Sequence, residues 1–150
     1  MRQTNKKICN LRCTVSEPNI LNKENLYFVV FCHGYGAPGN DLVSIGEYLS
    51  QKHSSISENI CFIFPEAPLS LDDVGLLRAR AWWEIDYPDQ TRPIAGIHPR
   101  DLSKDIPKGM PLASNMLMDL VNQIMLDYGV SSNRIILGGF SQGSMITTDV

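Results

Sequence analysis

One serine near the end of the sequence has neighbours that could make it a nucleophile. Residues 139–143 read Gly-Phe-Ser-Gln-Gly, the G-x-S-x-G pattern of a sharp strand-to-helix turn that presents a serine hydroxyl. Bulky side chains two residues before or after the serine would collide in such a turn, and Gly139 and Gly143 remove those collisions. The pattern arises by chance in roughly 5% of chains this long, so it predicts a nucleophile at Ser141 only where a buried strand precedes it and a helix follows.

A second motif, His33-Gly34-Tyr35-Gly36, directly follows the first apolar run. Attack on a carbonyl places negative charge on its oxygen, and each hydrogen-bond donor aimed at that oxygen contributes roughly 10²–10³ in rate. We assign the two donors to the main-chain amides of Tyr35 and Gln142, and we expect His33 to brace the loop. The alternative for His33 and Gly34 is a plain turn with a structural histidine.

The elements needed to position these residues are visible in the hydrophobic pattern. Apolar runs predict buried strands over 26–32, 60–64 and 134–138. A helix is predicted where Leu42, Ile45, Tyr48 and Leu49 recur, with Asn40 or Asp41 as its cap. A second helix carries Leu117, Leu120, Val121, Ile124 and Tyr128, and ends at Gly129. This alternation predicts one α/β domain over 1–150 with a mainly parallel sheet flanked by helices.

Two regions give weaker patterns. The residues before position 26 could add edge strands. The proline-rich stretch 84–112 has few sustained apolar patterns, and a long irregular connection of this kind is either a functional lid or a surface insertion without a role.

Composition narrows the class of protein. A net charge of −3 and the absence of a dense Lys/Arg cluster argue against nucleic acid as a partner. No run approaches the length of a transmembrane helix, and the N-terminus lacks the apolar core of a signal peptide. The four cysteines (Cys9, Cys13, Cys32 and Cys61) have no zinc-site spacing, which predicts reduced thiols and a cytoplasmic location.

Four segments in order, FCHGYGAPGND, FIFPEAP, ARAWWEID and RIILGGFSQGSM, resemble the phospholipase/carboxylesterase family that includes the acyl-protein thioesterases. The resemblance implies an α/β-hydrolase fold and cleavage of ester or thioester bonds through an acyl-serine intermediate, without a metal or organic cofactor. It implies that Ser141 is the nucleophile and that Tyr35 and Gln142 form the oxyanion hole. It also implies that Trp82 and Trp83 lie near the acyl-binding cleft, although they could equally be core aromatics. The substrate would be a small molecule or an acylated protein.

The family order is serine, then aspartate, then histidine, but His33, His53 and His98 all precede Ser141. Asp149 follows the serine within the same short helix, which predicts a solvated helix residue. We therefore expect a fragment that lacks its catalytic aspartate and histidine, has little activity and lacks the C-terminal strands of its sheet. The exposed sheet edge would favour self-association, a homo-oligomer included. The alternative function is a catalytically inert binding protein with the same fold.

Overall fold

The predicted apolar runs form the centre of a five-stranded sheet in the computed structural model, which describes residues 1–85 and 106–150. The strands of this sheet are β1 (Arg2–Ile8), β2 (Leu11–Glu17), β3 (Tyr27–Cys32), β4 (Ile60–Pro65) and β7 (Ile135–Gly139). Two short strands, β5 (Leu69–Ser70) and β6 (Arg80–Ala81), pair with each other. The helices are α1 (Val43–Lys52), α2 (Ser54–Asn59), α3 (Met110–Tyr128) and α4 (Gln142–Asp149).

The spatial order of the main sheet is β1-β2-β4-β3-β7. Strand β3 is parallel to both β4 and β7, whereas β2 is antiparallel to β1 and β4. The sheet is therefore mixed, and its three predicted strands form the parallel part. The N-terminal hairpin gave only a weak pattern because β1 is an edge strand, mostly exposed, with the polar sequence RQTNKKI.

Alternating side chains of the central strands pack against helices on both faces of the sheet. Phe28 and Val30 belong to a core cluster with Leu117 and Ile124 of α3. The neighbouring positions of β3 and β4 face the other way, where a smaller cluster includes Val43 of α1. This layered arrangement leaves the carboxyl ends of β3 and β7 side by side.

The prediction for the long helix is confirmed. Leu117, Leu120 and Ile124 are almost fully buried, and α3 ends at Gly129, which has the left-handed φ of 67° that glycine accepts at a helix end.

The prediction for α1 is correct in place but wrong in detail. Ile45 and Tyr48 are exposed, and the buried residues are Val43 and Gly46. Gly46 packs closely on the rings of β4, so that an added Cβ would lie 2.9 Å from Phe64 Cζ. Leu42 is the N-cap and makes no side-chain cap, so neither Asn40 nor Asp41 has that role.

Most of the proline-rich stretch 84–112, including His98, lies outside the described residues. Among the helices within 1–85 and 106–150, none combines the length and apolar character needed to cross a bilayer.

Candidate active site

Ser141 occupies the bend between β7 and α4. Its backbone has φ 52° and ψ −120°, a left-handed conformation unusual for a residue with a side chain. The turn is closed on both sides by hydrogen bonds: Phe140 N–H donates to Cys32 O at 3.0 Å, and Gly143 N–H donates to Phe140 O at 2.9 Å. Ser141 is exposed. The structure thus supplies the strand, turn and helix on which the nucleophile prediction depends.

The two glycines of the motif are required sterically. A Cβ added at Gly139 would collide with the backbone of Gly143 and would lie 2.8 Å from Cys32 O. A Cβ added at Gly143 would overlap Cys32 O and lie 2.6 Å from His33 O. These contacts are with backbone atoms, which cannot rotate away, so only glycine fits at either position.

The loop that begins at His33 lies against the serine turn. Strands β3 and β7 pair in register up to Cys32 and Gly139, so the residues that follow both strands emerge together. A Cβ added at Gly34 would be 3.3 Å from Ser141 Cβ and 3.2 Å from Phe140 Cδ1. The absence of a side chain at Gly34 therefore permits this close approach of the loop to the nucleophile.

His33 braces the loop from inside the protein. The ring is almost fully buried. Its Nε2 accepts a hydrogen bond from Ala67 N–H at 3.1 Å, which leaves Nδ1 as the protonated nitrogen that donates to Gly34 O at 2.8 Å. Burial lowers the pKa of His33 below its ordinary value, consistent with this neutral form. His33 is therefore a structural brace whose two nitrogens are both occupied.

Gln142 is the first residue of α4. Its main-chain N–H therefore has no carbonyl acceptor within the helix, because no helical turn precedes it. Its buried side chain holds two backbone groups: Trp82 N–H donates to Oε1 at 2.8 Å, and Nε2 donates to Trp83 O at 2.8 Å.

Tyr35, the other assigned donor, packs against a small cluster that includes Leu71 and Ala81. The assignment of the Tyr35 and Gln142 amides to an oxyanion hole stays a prediction, supported by the nearness of both segments to Ser141.

Trp82 and Trp83 both lie in the main core, 1% and 3% exposed. The Trp82 indole Nε1–H donates to His33 O at 2.9 Å. Both residues therefore have the position of core aromatics beneath the site, the alternative that the sequence left open, and their contact with substrate stays a prediction. The connection of Trp82 to His33 and Gln142 gives no sequence signal, because it joins residues 49 and 60 positions apart.

A general base is not found among the described residues. His53 lies between α1 and α2, and α2 leads into the amino end of β4, whereas Ser141 follows the carboxyl end of β7. Asp149 is exposed, as predicted, but it also accepts a hydrogen bond from Ser114 Oγ at 2.5 Å, which ties α4 to α3. Within the described ranges, no group of three or more His, Cys, Asp or Glu residues could hold a metal ion.

Comparisons with known proteins identify the family of this chain. Residues 17–150 match the family described as phospholipase/carboxylesterase. Relatives include acyl-protein thioesterase 1 of Saccharomyces cerevisiae, 29% identical over 79% of this chain and 48% of the yeast protein. Acyl-protein thioesterase 1 of Kluyveromyces lactis is 31% identical over 79% of this chain and 47% of its own length. The chain thus spans about half the length of these relatives.

Solved structures show the same fold. Esterase PE8 is similar with a TM-score of 0.61 and 25% identity, over 89% of this chain and 55% of that protein. The acetyl xylan esterase of Aspergillus awamori has a TM-score of 0.56 and 18% identity, over 97% of this chain and 44% of that enzyme. The fold is that of the α/β hydrolases. With the match extending from residue 17 to residue 150, this chain belongs to the phospholipase/carboxylesterase family.

Proposed function

We propose that this chain carries the nucleophile and the oxyanion hole of a serine hydrolase that cleaves carboxylic ester or thioester bonds. The observation that carries the proposal is the strained, exposed backbone of Ser141 next to Gly34. Nothing in the packing of a binding protein requires a serine in this conformation, which costs of the order of 1–3 kcal/mol. The alternative, an inert binding protein with the same fold, does not account for that cost.

In the proposed reaction, Ser141 Oγ attacks the carbonyl carbon and its proton passes to a general base. The negative charge that develops on the carbonyl oxygen is stabilised by the amides of Tyr35 and Gln142. The tetrahedral intermediate collapses to an acyl-serine and releases the alcohol or thiol, which takes up the proton. Water then cleaves the acyl-serine. The proposal requires a base from outside the described residues, because His33 is already bonded at both nitrogens.

The surface around the serine supports an apolar acyl group in the substrate. Phe140 and Met145, which flank Ser141 in sequence, are 67% and 47% exposed. Exposed apolar side chains on both sides of a nucleophile suit an apolar acyl group, whether it is carried by a small molecule or by an acylated protein. The relatives named acyl-protein thioesterase support an acylated protein as the carrier of this acyl group.

The location and assembly of the protein are also proposals. The cysteines are free thiols, three of them buried, which supports a reducing, cytoplasmic environment. The outer edge of β7 pairs with no other strand among the described residues. This unpaired edge supports self-association of residues 1–150 on their own.

The test is labelling with a fluorophosphonate, which reacts with activated serines. The protein is expressed from its own gene, labelled, and analysed by mass spectrometry for the modified residue. We expect modification of Ser141, and we expect Ser141→Ala to abolish it. The control is Ser132→Ala, because Ser132 is also exposed but lies in the turn before β7, at the opposite end of that strand from Ser141. Hydrolysis of p-nitrophenyl esters and of acyl thioesters should follow the same pattern. An unlabelled wild-type protein that still binds fatty acyl ligands would favour the inert binding protein.

A further inference from the structure

We propose that residues 80–83, named here the bridging segment, fix the two amides of the oxyanion hole relative to each other, and that Trp82 is the main positioning residue. The role of the bridging segment in catalysis rests on the proposed function, whereas the hydrogen bonds of the segment are independent of that proposal.

On one side, the bridging segment is bonded to the loop that contains Tyr35. Arg80 N–H donates to Ala37 O at 3.1 Å, and Gly36 N–H donates to Arg80 O at 2.9 Å. The Trp82 indole reaches His33 O at 2.9 Å. The chain is therefore held both before and after Tyr35, which limits the directions in which the Tyr35 peptide can turn.

On the other side, the bridging segment is bonded to the start of α4. The Gln142 side chain accepts from Trp82 N–H and donates to Trp83 O, both at 2.8 Å. This two-point contact resembles a pair of backbone hydrogen bonds between strands. Gln142 and Trp82 are 3% and 1% exposed, so water cannot readily replace either bond.

The bridging segment is itself anchored away from the serine. The Arg80 guanidinium donates from Nε to Ala67 O at 2.9 Å and from Nη2 to Pro68 O at 3.0 Å. Ala67 N–H donates in turn to His33 Nε2. The loop, the bridging segment and residues 67–68 thus form a closed set of hydrogen bonds.

These contacts provide an alignment that strand pairing alone does not. Pairing of β3 with β7 ends at Cys32 and Gly139, whereas the assigned donors, Tyr35 and Gln142, lie three residues further along each chain segment. Donors aimed at an oxyanion must be positioned before the reaction, and a 1 Å misplacement can cost on the order of 10²-fold in rate. Within the described part of the chain, Trp82 donates a hydrogen bond to each side: its indole N–H to the loop and its main-chain N–H to Gln142.

The test is Trp82→Phe, which removes the indole N–H while it keeps an aromatic ring in the core. The control is Phe62→Leu, a loss of aromatic volume at a buried position of β4, in the core cluster on the α1 side of the sheet. A third variant, Gln142→Met, keeps the main-chain amide and the side-chain length but removes both side-chain hydrogen bonds. Hydrogen exchange of the backbone amides and the rate of fluorophosphonate labelling are both measured by mass spectrometry on the protein expressed from its own gene.

We expect Trp82→Phe to speed amide exchange in residues 33–37, and Gln142→Met to speed it at 140–143, each several-fold. Each variant should slow labelling of Ser141 by about 10-fold and lower kcat with little change in KM, the pattern of an interaction made only in the transition state. Phe62→Leu should leave the exchange in residues 33–37 and 140–143, and the labelling rate of Ser141, close to those of the wild type.

Two results would overturn the inference. One is unchanged exchange and labelling in both Trp82→Phe and Gln142→Met. The other is an equal change in Phe62→Leu, which would show a general packing effect. If the wild type is not labelled but the exchange pattern is as expected, the bridging role of the segment stands and the proposed function fails.

Discussion

The α-carbon of Gly143 lies so close to the carbonyl group of Cys32 that no side chain fits between them. Gly143→Ala would therefore push α4 away from the end of β3, and with it Ser141. Overpacking of this kind costs about 1–3 kcal/mol and occasionally more. Because the neighbour is backbone, we expect a value of about 3 kcal/mol in the free energy of unfolding, measured by denaturant titration, and loss of fluorophosphonate labelling at Ser141.

The control for this substitution is Gly75→Ala. Gly75 has φ 83° but no atom within 4 Å of an added Cβ, so its cost is limited to about 1–2 kcal/mol of backbone strain. We expect Gly75→Ala to keep normal labelling. If Gly143→Ala were no less stable than Gly75→Ala and were labelled at the same rate, the turn would be looser than the structure shows.

Sequence reasoning predicted the central elements because their signals are local. Strands β3, β4 and β7 are continuous apolar runs, and the turn at Ser141 is defined by glycines within five consecutive residues. The N-terminal hairpin was weakly predicted because an edge strand such as β1 need not be apolar. Of the residues predicted on the apolar face of α1, Leu42 and Leu49 pack on the core, but Ile45 and Tyr48 are exposed. The pattern missed Gly46, which packs closely on β4 but has no side chain to register in a hydrophobic pattern.

The candidate site was predictable in its residues but not in its connections. Ser141 and the loop at His33 could be paired from the order of the elements, since both follow strands of one parallel set. By contrast, the position of Trp82 depends on hydrogen bonds between segments far apart in the chain. No spacing rule predicts such bonds, so the sequence could place the two tryptophans only near the cleft or in the core.

We predict that His33 stays neutral, with its proton on Nδ1, at pH 6.5. Burial lowers the pKa of His33 from its ordinary 6.5, and a proton on Nε2 would face Ala67 N–H, which is also a donor. The unfolded chain therefore binds this proton more readily than the folded protein. The contribution of His33 to stability is complete above about pH 6.5 and declines as the pH falls towards the folded-state pKa. The ¹⁵N chemical shifts of the imidazole report the tautomer and its titration.

A variant set checks the pH effect of His33. The unfolding free energy of His33→Gln should change less between pH 7.5 and pH 5 than that of the wild type. His53→Gln, at an exposed position, should show the same change as the wild type. A His33 ring that is mainly imidazolium at pH 6.5 would contradict the proposed hydrogen bonds.

We predict acid sensitivity from Glu17, which is 2% exposed. Burial alone would raise the pKa of Glu17, but hydrogen bonds from Lys6, Arg2 and Tyr128 outweigh it and lower the pKa to about 2. Since the folded-state pKa is depressed, the stabilisation is present above the ordinary value of 4.5 and is lost as the pH falls towards 2.

Thermal unfolding between pH 6 and pH 2 should show a drop in Tm that is smaller in Glu17→Gln than in the wild type. Glu58→Gln, at an exposed residue of α2, should keep the drop, and an unchanged pH profile in Glu17→Gln would rule out this network as its source.

The last prediction concerns the strain at Ser141. Its φ of 52° and ψ of −120° are the mirror image of the first central position of a type II turn, a conformation in which glycine is dominant. We therefore expect Ser141→Gly to be more stable than Ser141→Ala by about 1 kcal/mol, because relief of about 1–2 kcal/mol of strain exceeds the extra entropy cost of glycine, about 0.5–1 kcal/mol. Both variants lack the nucleophile, so a comparison of their denaturant midpoints isolates the backbone.

The same pair of substitutions at Ser144, inside α4, provides the control for Ser141. There the order should reverse, with alanine more stable than glycine by about 1 kcal/mol. An equal preference for alanine at both positions would mean that the backbone at Ser141 is an ordinary helix start. In that case the physical reason for regarding Ser141 as an activated nucleophile would be lost, because the strained turn is what separates this serine from the other exposed serines among residues 1–85 and 106–150.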